Sequence, residues 1–476
     1  MKTVILSVSS RYIHTLLAPR YLKANSRGFE VEIMETNVNI RPFDVLAELY
    51  RRRPDAVAVS CYIFNIEYLK SLLAEIRTLM PRTKIILGGY EALPELSHLC
   101  DYIVRGEGDL VFKDILREIE EGKDRLPKVI EAGFVENLER IASPFDEEYC
   151  SMGKDRILYM ETSRGCPFSC SYCMSAKSSG VRAFSLGRVF SDIDFIMKYS
   201  PRQIKFADRT FNYDMKRAAK IFGYLIERYG GSGTNFHFEM TPELFDGQLF
   251  EILREAPRGL FQFEIGIQSF NEQALMSVNR RFDLERAEEN IKRLIEMDNI
   301  HIHVDLIAGL PFEDLASFKS GFDRLMALRP HYLQLGFLKI LKGSGIERMR
   351  DNYVVQESAP YEIFSSKWLS FDDILELKEV ENMLNLYYNS GRFKESVEYL
   401  LGAFSPYQLF YLLSQFYKKM GAHSKNLSAK AHCDMLFEFA KEAAAAQGRQ
   451  VFLEKLKELI NEDYLNSGNL RKWMRD

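Results

Sequence analysis

The stretch Thr162-Ser-Arg-Gly-Cys166-Pro-Phe-Ser-Cys170-Ser-Tyr-Cys173 sets three cysteines at intervals of four and three residues. Thiolates are the usual protein ligands of iron-sulfur clusters, and a cluster that only carries electrons normally takes four of them. A compact set of three, with no fourth nearby, suits a cubane cluster with one iron left open to an exchangeable ligand. A zinc site is the competing reading, yet zinc knuckles favour paired Cys-x2-Cys blocks with a distant second pair. Three unrelated thiols are the plainest alternative. The spacing favours the cluster, with Cys166, Cys170 and Cys173 as its ligands.

Around this loop, from residue 156 to 350, strand-like and helix-like stretches alternate at the intervals of a (β/α) barrel. Strands are expected at 157–162, 203–208, 236–240, 260–269, 300–311 and 332–338, which makes a partial, partly open (β/α)6 barrel. A carboxylate at the carboxyl end of a barrel strand faces the active site, which singles out Asp208. Capping a helix is the other use for it, and Asn212 and Asp214 compete for that task. His237 and Glu239 share one strand face by the two-residue period, and burying both without partners is costly, so they point at a polar site. His301, His303 and Asp305 also share a face. Side chains spaced along an extended strand diverge, however, and a polar lining or a substrate contact suits them better than one metal ion.

Residues 1–140 alternate short apolar runs with amphipathic stretches, as a parallel sheet wrapped by helices does. The expected strands, 3–8, 30–35, 56–60, 84–87 and 102–104, form a doubly wound, Rossmann-like α/β domain whose ligands lie at the carboxyl ends of its strands. Those ends carry His14, Cys61-Tyr62, Gly88-Gly89-Tyr90-Glu91 and Arg105-Gly106-Glu107-Gly108-Asp109. Glycines there let a backbone approach a bulky ligand closely. Residues 141–155 read as a linker, the end of a Gly-, Pro- and charge-rich crossover that begins near residue 121. Residues 351–476 are rich in helix formers with apolar spacings of three and four, as in 380–388 and 452–460, and read as a helical domain. Its recurrent aromatics, Trp368, Phe371, Tyr387, Phe404, Tyr407, Phe410, Tyr411 and Phe416, fill a core by default, or form a lid over an apolar substrate.

The cysteine loop and the strands around it resemble the radical S-adenosylmethionine superfamily, and the resemblance covers the whole barrel. It implies a [4Fe-4S] cluster whose open iron is chelated by the amino and carboxylate groups of S-adenosyl-L-methionine. It also implies reductive cleavage of that cofactor to methionine and a 5'-deoxyadenosyl radical. By the same likeness Tyr172 lies against the adenine, and the strand holding Glu264, Gln268 and Ser269 lines the cofactor pocket. Asp208-Arg-Thr-Phe211 is similar to the Asp-x-x-Phe turn of the cobalamin-binding branch, and Glu239 joins the cofactor-binding set. Arg280 resembles the basic element that meets the cofactor carboxylate, a task that suits the bidentate guanidinium. The backbone around Ile307 and Gly309 resembles the segment that reads the adenine edge.

Ile86-Leu-Gly-Gly-Tyr-Glu-Ala-Leu-Pro94, followed by Val104-Arg-Gly-Glu-Gly-Asp109, resembles the cobalamin-binding domain found ahead of many radical enzymes. The resemblance implies a corrin lying across His14, Gly88, Gly89, Tyr90, Glu107 and Gly108. The Asp-x-His-x-x-Gly motif of that family is not matched, since position 12 is Tyr and position 17 is Leu. His14 is then either a cobalt ligand or a hydrogen-bonding neighbour of backbone or corrin amide, and many relatives leave the lower face of cobalt without a protein ligand.

The order of domains resembles cobalamin-dependent radical S-adenosylmethionine enzymes, whose commonest activity is methyl transfer to an unactivated carbon. Two molecules of S-adenosyl-L-methionine per turnover are implied, one remethylating cobalamin and one yielding the radical, together with a reductase such as flavodoxin or ferredoxin. Cyclisation, rearrangement or oxidation with the same cofactors fits the sequence too. Methylthiolation of tRNA would need three more N-terminal cysteines, and Cys61, Cys100 and Cys150 lack the expected positions. A non-catalytic cobalamin sensor conflicts with retention of the cysteine triad and the strand 264–269. The 63 Lys and Arg against 67 Asp and Glu give a net charge of -4, and no basic tail follows, so nucleic acid is not an expected partner. No run reaches the ~18 apolar residues of a membrane span, and no cleavage site follows the first strand, so the expected location is cytoplasmic. Of seven cysteines, the four outside the triad, Cys61, Cys100, Cys150 and Cys433, are expected as ordinary buried thiols in a reducing compartment. The aromatic tail and open barrel suit a sizeable, apolar substrate, and a lipid, a peptide and a tetrapyrrole intermediate all fit.

Overall fold

The computed structural model describes residues 1–123, 125–178, 180–423, 425–447 and 453–468. It divides into two compact units, one of residues 1–169, 173–263 and 356–361, the other of residues 170–172, 264–355 and 362–476. Among the described residues no helix is long and apolar enough to cross a membrane.

The first unit opens with a six-stranded sheet of β1 (Lys2–Ser9), β2 (Glu30–Asn37), β3 (Ala56–Ser60), β4 (Lys84–Gly88), β5 (Tyr102–Gly106) and β6 (Val129–Gly133). Their order is β2-β1-β3-β4-β5-β6 and every pair is parallel. Parallel sheets need both faces covered, and the two-residue period divides the apolar side chains between two cores. Val4, Leu6, Val57, Val59, Ile85 and Leu87 meet Val45, Leu49, Leu69, Leu73 and Ile76 of helices Pro42–Arg52 and Ile66–Leu79. Ile5, Ala58, Ile86 and Val104 meet Phe112, Ile115 and Leu116 of helix Val111–Glu120 on the other side.

Two features depart from the sequence reading of 121–155. Strand β6 falls inside the expected crossover; it is a five-residue edge strand with no fully buried position, so its hydrophobic signal is weak. The expected linker, in turn, contains helix Glu147–Ser151 with Tyr149 and Cys150 fully buried. The Tyr149 hydroxyl accepts from Tyr159 N at 2.8 Å, donates to Tyr159 O at 3.0 Å and meets Thr15 Oγ1 at 3.0 Å, so this connector is packed. Asp124, also part of that crossover, lies outside the described residues.

The same unit continues with β7 (Leu158–Met160), a hairpin of β8 (Ser163–Cys166) and β9 (Gly180–Ala183), then β10 (Gln203–Phe206), β11 (Asn235–Met240) and β12 (Phe261–Gln268). Strands β7, β10, β11 and β12 lie in that order in one sheet, with β10 parallel to both β7 and β11. Phe206, Phe238, Phe261 and Phe263 point to one side, where Phe211 and Phe222 complete an aromatic core with ring centroids 4.3–6.2 Å apart. The opposite face is left to Lys205, Glu239 and Gln262.

Strand β12 runs on into the second unit, where β13 (His301–Ala308) and β14 (Tyr332–Phe337) follow it. Here Ile265, Ile267, Val304, Leu306, Leu333 and Leu335 are buried, while Glu264, Gly266, Gln268, His303, Asp305 and Gln334 alternate with them. A hairpin of β15 (Tyr353–Val355) and β16 (Ile363–Ser366) follows, of which β15 and β16 lie in this unit. Helices Phe371–Met383, Lys394–Leu401, Pro406–Lys419, Ala429–Gln447 and Leu453–Asn466 complete it, so the C-terminal region is helical as the sequence indicates. Phe452, where the last of these helices was expected to start, lies outside the described residues. Tyr387, Phe404, Tyr407, Phe410 and Phe416 are buried core, whereas Phe371 is exposed.

Candidate functional site

The cysteine loop starts from β7 and is shaped by the β8–β9 hairpin, in which Cys166 pairs with Gly180. Gly165 has φ +97°, and a Cβ there would lie 2.2 Å from Gly180 O, so only glycine lets the hairpin close beside the first cysteine. Asp208, just beyond β10, braces the entry to this loop. Its carboxylate accepts from Thr162 N at 2.8 Å, Thr162 Oγ1 at 2.7 Å and Ser163 Oγ at 2.6 Å. Burial pushes the Asp208 carboxyl up, and those hydrogen bonds pull only part of the way back. Both oxygens are thus engaged by the loop. Asp214 caps helix Met215–Tyr229, and the Asn212 side chain bonds Thr241 through N–H and C=O.

Arg209 and Thr210 follow Asp208 directly. The Thr210 hydroxyl is 3.5 Å from Cys166 Sγ. Arg209 reaches Glu239 at 3.9 Å. Loss of hydration works against its charge, but attraction to Glu239 first, then to Cys173, Tyr90 and Cys166, raises its pKa. Glu239 and Tyr90, expected to touch different cofactors, both act on one guanidinium.

At the strand ends of the first sheet, Tyr12, Ile13, Phe64 and Tyr90 are exposed large apolar side chains, with Tyr62 stacked on Phe64 at 5.3 Å. Gly89 has φ +96°, and a Cβ on it would lie 2.4 Å from Cys61 O. Gly88 and Gly108 have room around them, with no atom nearer a built Cβ than 3.9 and 3.6 Å. His14 Nδ1 is 2.9 Å from the Tyr159 hydroxyl, and burial, then Lys205, Arg11 and Arg156, lower its pKa. Its Nδ1 is already engaged. Glu107 is engaged as well: Arg182 donates to it at 2.7 and 2.9 Å and Val135 N at 2.8 Å. Burial would raise its pKa, but these partners hold the carboxyl below the usual range.

In the second unit, Ser171 is fixed by hydrogen bonds from its N–H to Val278 O and from Ile346 N to its carbonyl, each 2.8 Å. Arg280 places Nη1 3.6 Å from Cys170 Sγ and donates through Nη2 to Gly266 O. Tyr172 is among the groups that raise the Arg280 pKa against its burial. The guanidinium, expected at a cofactor carboxylate, here also ties a cysteine sulfur to a strand carbonyl. Gln268, at φ +74°, ends β12, and Ser269 donates to Glu313 Oε1. Burial pushes the Glu313 carboxyl up to about 7. Gly309 has φ +96°, a backbone conformation that favours glycine, and a Cβ there would also displace the tip of the Ile363 side chain. Glu264 and Asp305 are near Tyr332, whose pKa is raised by burial first and then by Glu381 and these two carboxylates. Ile307 is half-buried on the same strand face as Asp305.

These residues fit the groups that the sequence implies. None of the three cysteines is tied up in a disulfide, the Thr210 hydroxyl lies beside Cys166, and the Arg280 guanidinium stands at the Cys170 sulfur as a hydrogen-bond donor to a cluster thiolate does. Among the described residues no three His, Cys, Asp or Glu groups stand close enough to share one metal ion. A cubane cluster does not ask that of them, because each thiolate takes a different iron. Exposed apolar side chains around glycine-lined strand ends suit a broad, flat ligand that would cover them.

Residues 4–116 match the family model described as B12 binding domain, and residues 160–325 match the Radical SAM superfamily. The chain carries a B12-binding domain followed by a radical SAM domain. Its cofactors are accordingly a [4Fe-4S] cluster, S-adenosyl-L-methionine and cobalamin. Residues 351–475 of this radical SAM protein match a third model, Protein of unknown function (DUF4080). Among curated proteins it is similar to the cobalamin-dependent radical SAM methyltransferase TokK of Streptomyces tokunonensis, 23% identical over 58% of this chain and 46% of that one. The chain spans about half the length of the curated relatives it matches. Its fold is similar to TsrM from Kitasatospora setae, a radical S-adenosylmethionine methyltransferase solved with cobalamin and a [4Fe-4S] cluster, at TM-score 0.59 and 19% identity over 76% of each chain. It is also similar to the cobalamin-dependent S-adenosylmethionine radical enzyme OxsB, at TM-score 0.64 and 14% identity over 98% of this chain and 84% of that one.

Sequence reading passed over Arg164, Arg182, Thr210 and Glu313. Arg164 lies inside the cysteine stretch and Thr210 inside the Asp208 turn, but nothing in their spacing says which side chain they meet.

Proposed function

We propose that this protein is a cobalamin-dependent radical S-adenosylmethionine methyltransferase acting on an unactivated carbon. The observation that carries the reading is that the B12-type strand ends and the Cys166 hairpin belong to one compact unit, tied by Arg182 of the hairpin bonding Glu107 of a strand-end loop at 2.7 and 2.9 Å. Transfer of a group between two cofactors needs them close and fixed, and two loops carried by one compact unit support that reading. When bound, the cofactors supply a carbon radical that breaks a strong C–H bond and a methyl group to replace the hydrogen. The chain's own residues hold and shield. Cys166, Cys170 and Cys173 would ligate the cluster, Asp208 braces their loop, and Arg280 would donate to the Cys170 sulfur. Gln268, Ser269, Ile307 and Tyr172 would line the S-adenosylmethionine pocket, and Gly88, Gly89, Tyr90 and Gly108 the corrin. The polar face of β12 to β14, with Glu264, Asp305 and Gln334, suits a substrate with polar groups, since the aromatic side chains of the C-terminal helices are mostly spent on core. The similarity to TokK supports methyl transfer as the activity.

The test is anaerobic reconstitution with iron, sulfide and hydroxocobalamin, followed by reduction in the presence of S-adenosyl-L-methionine. About four irons and one corrin per chain are expected, with both 5'-deoxyadenosine and S-adenosylhomocysteine formed, and none of this chemistry in a Cys166→Ala, Cys170→Ala, Cys173→Ala variant. Deoxyadenosine without S-adenosylhomocysteine would turn the reading to cyclisation, rearrangement or oxidation. Iron without corrin would remove cobalamin from it.

A further inference from the structure

Arg164 and Arg182 stand directly opposite each other in the β8–β9 hairpin, two residues before Cys166 on one strand and two after Gly180 on the other. Like charges facing across a strand pair are destabilising, so this hairpin carries a built-in repulsion beside the first cluster cysteine. The repulsion is answered from outside the hairpin. Arg182 bonds Glu107 through both terminal nitrogens and Val135 O at 2.6 Å, and packs over the Phe134 ring at 5.2 Å. Arg164 bonds Asp109 at 2.8 and 3.0 Å and Glu161 at 2.8 Å, lies 3.4 Å from Glu107, and stacks on Tyr21 at 4.9 Å. All five charged side chains are largely withdrawn from water, none exceeding 16% exposure. Glu107 and Asp109 belong to the loop between β5 and helix Val111–Glu120, which is one of the strand ends of the B12 domain.

We infer that Glu107, with Asp109, is a positioning residue for the cluster loop, holding the Cys166 hairpin in place by neutralising its two opposed arginines, rather than a contact of the corrin. This rests on reading Cys166 as a cluster ligand. Half of that balance removed, Arg164 and Arg182 repel and the hairpin opens toward solvent, carrying Cys166 with it. A direct corrin ligand at position 107 has a different signature, since its loss weakens cobalamin and leaves the hairpin intact.

The experiment uses the full-length protein reconstituted with iron, sulfide and hydroxocobalamin, as wild type, Glu107→Gln, Arg182→Gln and the double variant. Two quantities are read: the anaerobic rate of iron release to a chelator, and the dissociation constant for hydroxocobalamin. Glu107→Gln is expected to release iron roughly tenfold faster, with cobalamin affinity changed less than about threefold. Arg182→Gln removes one member of the repelling pair, so the double variant is expected to recover most of the iron retention that Glu107→Gln loses. If Glu107→Gln alone is not recovered as folded protein, a folded, iron-retaining double variant is the same relief, and an unfolded one overturns the inference. Unchanged iron release in Glu107→Gln overturns it, as does faster release that Arg182→Gln fails to relieve. Weakened cobalamin with normal iron retention returns Glu107 to the corrin. A wild-type protein that retains no iron overturns the functional reading itself, and this inference with it.

Discussion

Glu313 shows how a single side chain can be in plain view in a sequence and still be illegible. It follows strand β13, but its partner Ser269 lies 44 residues earlier, and only the fold brings the hydroxyl to its carboxyl. At 1% exposure the group holds its proton until about pH 7, whereas an unfolded glutamate loses it near 4.5. The native state therefore binds more protons than the unfolded state between those values. Stability from this group is complete below about 4.5, falls as pH rises, and is gone above about 7, a change of up to about 3 kcal/mol. Urea unfolding of the apoprotein from pH 5 to 8 is expected to show that decline, and Glu313→Gln, which keeps a neutral partner for Ser269, is expected to flatten it. An unchanged slope in the variant would mean that other groups carry it. The same limit applies to Asp208 and Arg280. Their residue types and places were readable, but that Asp208 binds Thr162 and Ser163, and that Arg280 meets Cys170, depends on loops whose course no local spacing encodes.

Elements were easier to read than contacts where burial is strong. Strands β1, β3 and β4 are almost wholly buried and appear in the sequence as unbroken apolar runs, as central parallel strands do. Strand β6 and the β8–β9 hairpin escaped notice because they are short and their side chains are mostly half-buried or exposed, which leaves no apolar run to read. Gly89 joins the two levels. It was read as an approach point for a ligand, and the backbone adds a reason of its own, since β4 turns there with φ +96° against the carbonyl of Cys61. Gly89→Ala is expected to destabilise the protein by at least about 2 kcal/mol, from the left-handed strain and the displaced Cys61 carbonyl. A urea titration of the apoprotein measures it. A change below about 0.5 kcal/mol would leave ligand approach as the glycine's sole purpose.

For the chain as a whole, the order of a doubly wound domain, a barrel and helices follows from periodicity, but the division into compact units does not. Residues 356–361 belong to the first unit although the chain before and after them belongs to the second. In that segment Ala359 packs against the core between β1, β3 and β4 and their helices, and the Tyr361 hydroxyl donates to Glu91 Oε2 at 2.9 Å, both side chains buried. Glu91 follows Tyr90, so a residue far along the chain supports a strand end of the B12 domain. No pattern in the sequence reveals such a partner, because the pair is 270 residues apart. Tyr361→Phe leaves a buried carboxylate short of a donor, a loss of about 1–3 kcal/mol. The expected result is lower stability in urea together with weaker hydroxocobalamin binding, about fivefold, at unchanged iron content. Lost stability with unchanged cobalamin affinity would make the tie a fastening of the core alone, whereas loss of iron as well would mean that the support extends to the Cys166 hairpin through the loops that meet it.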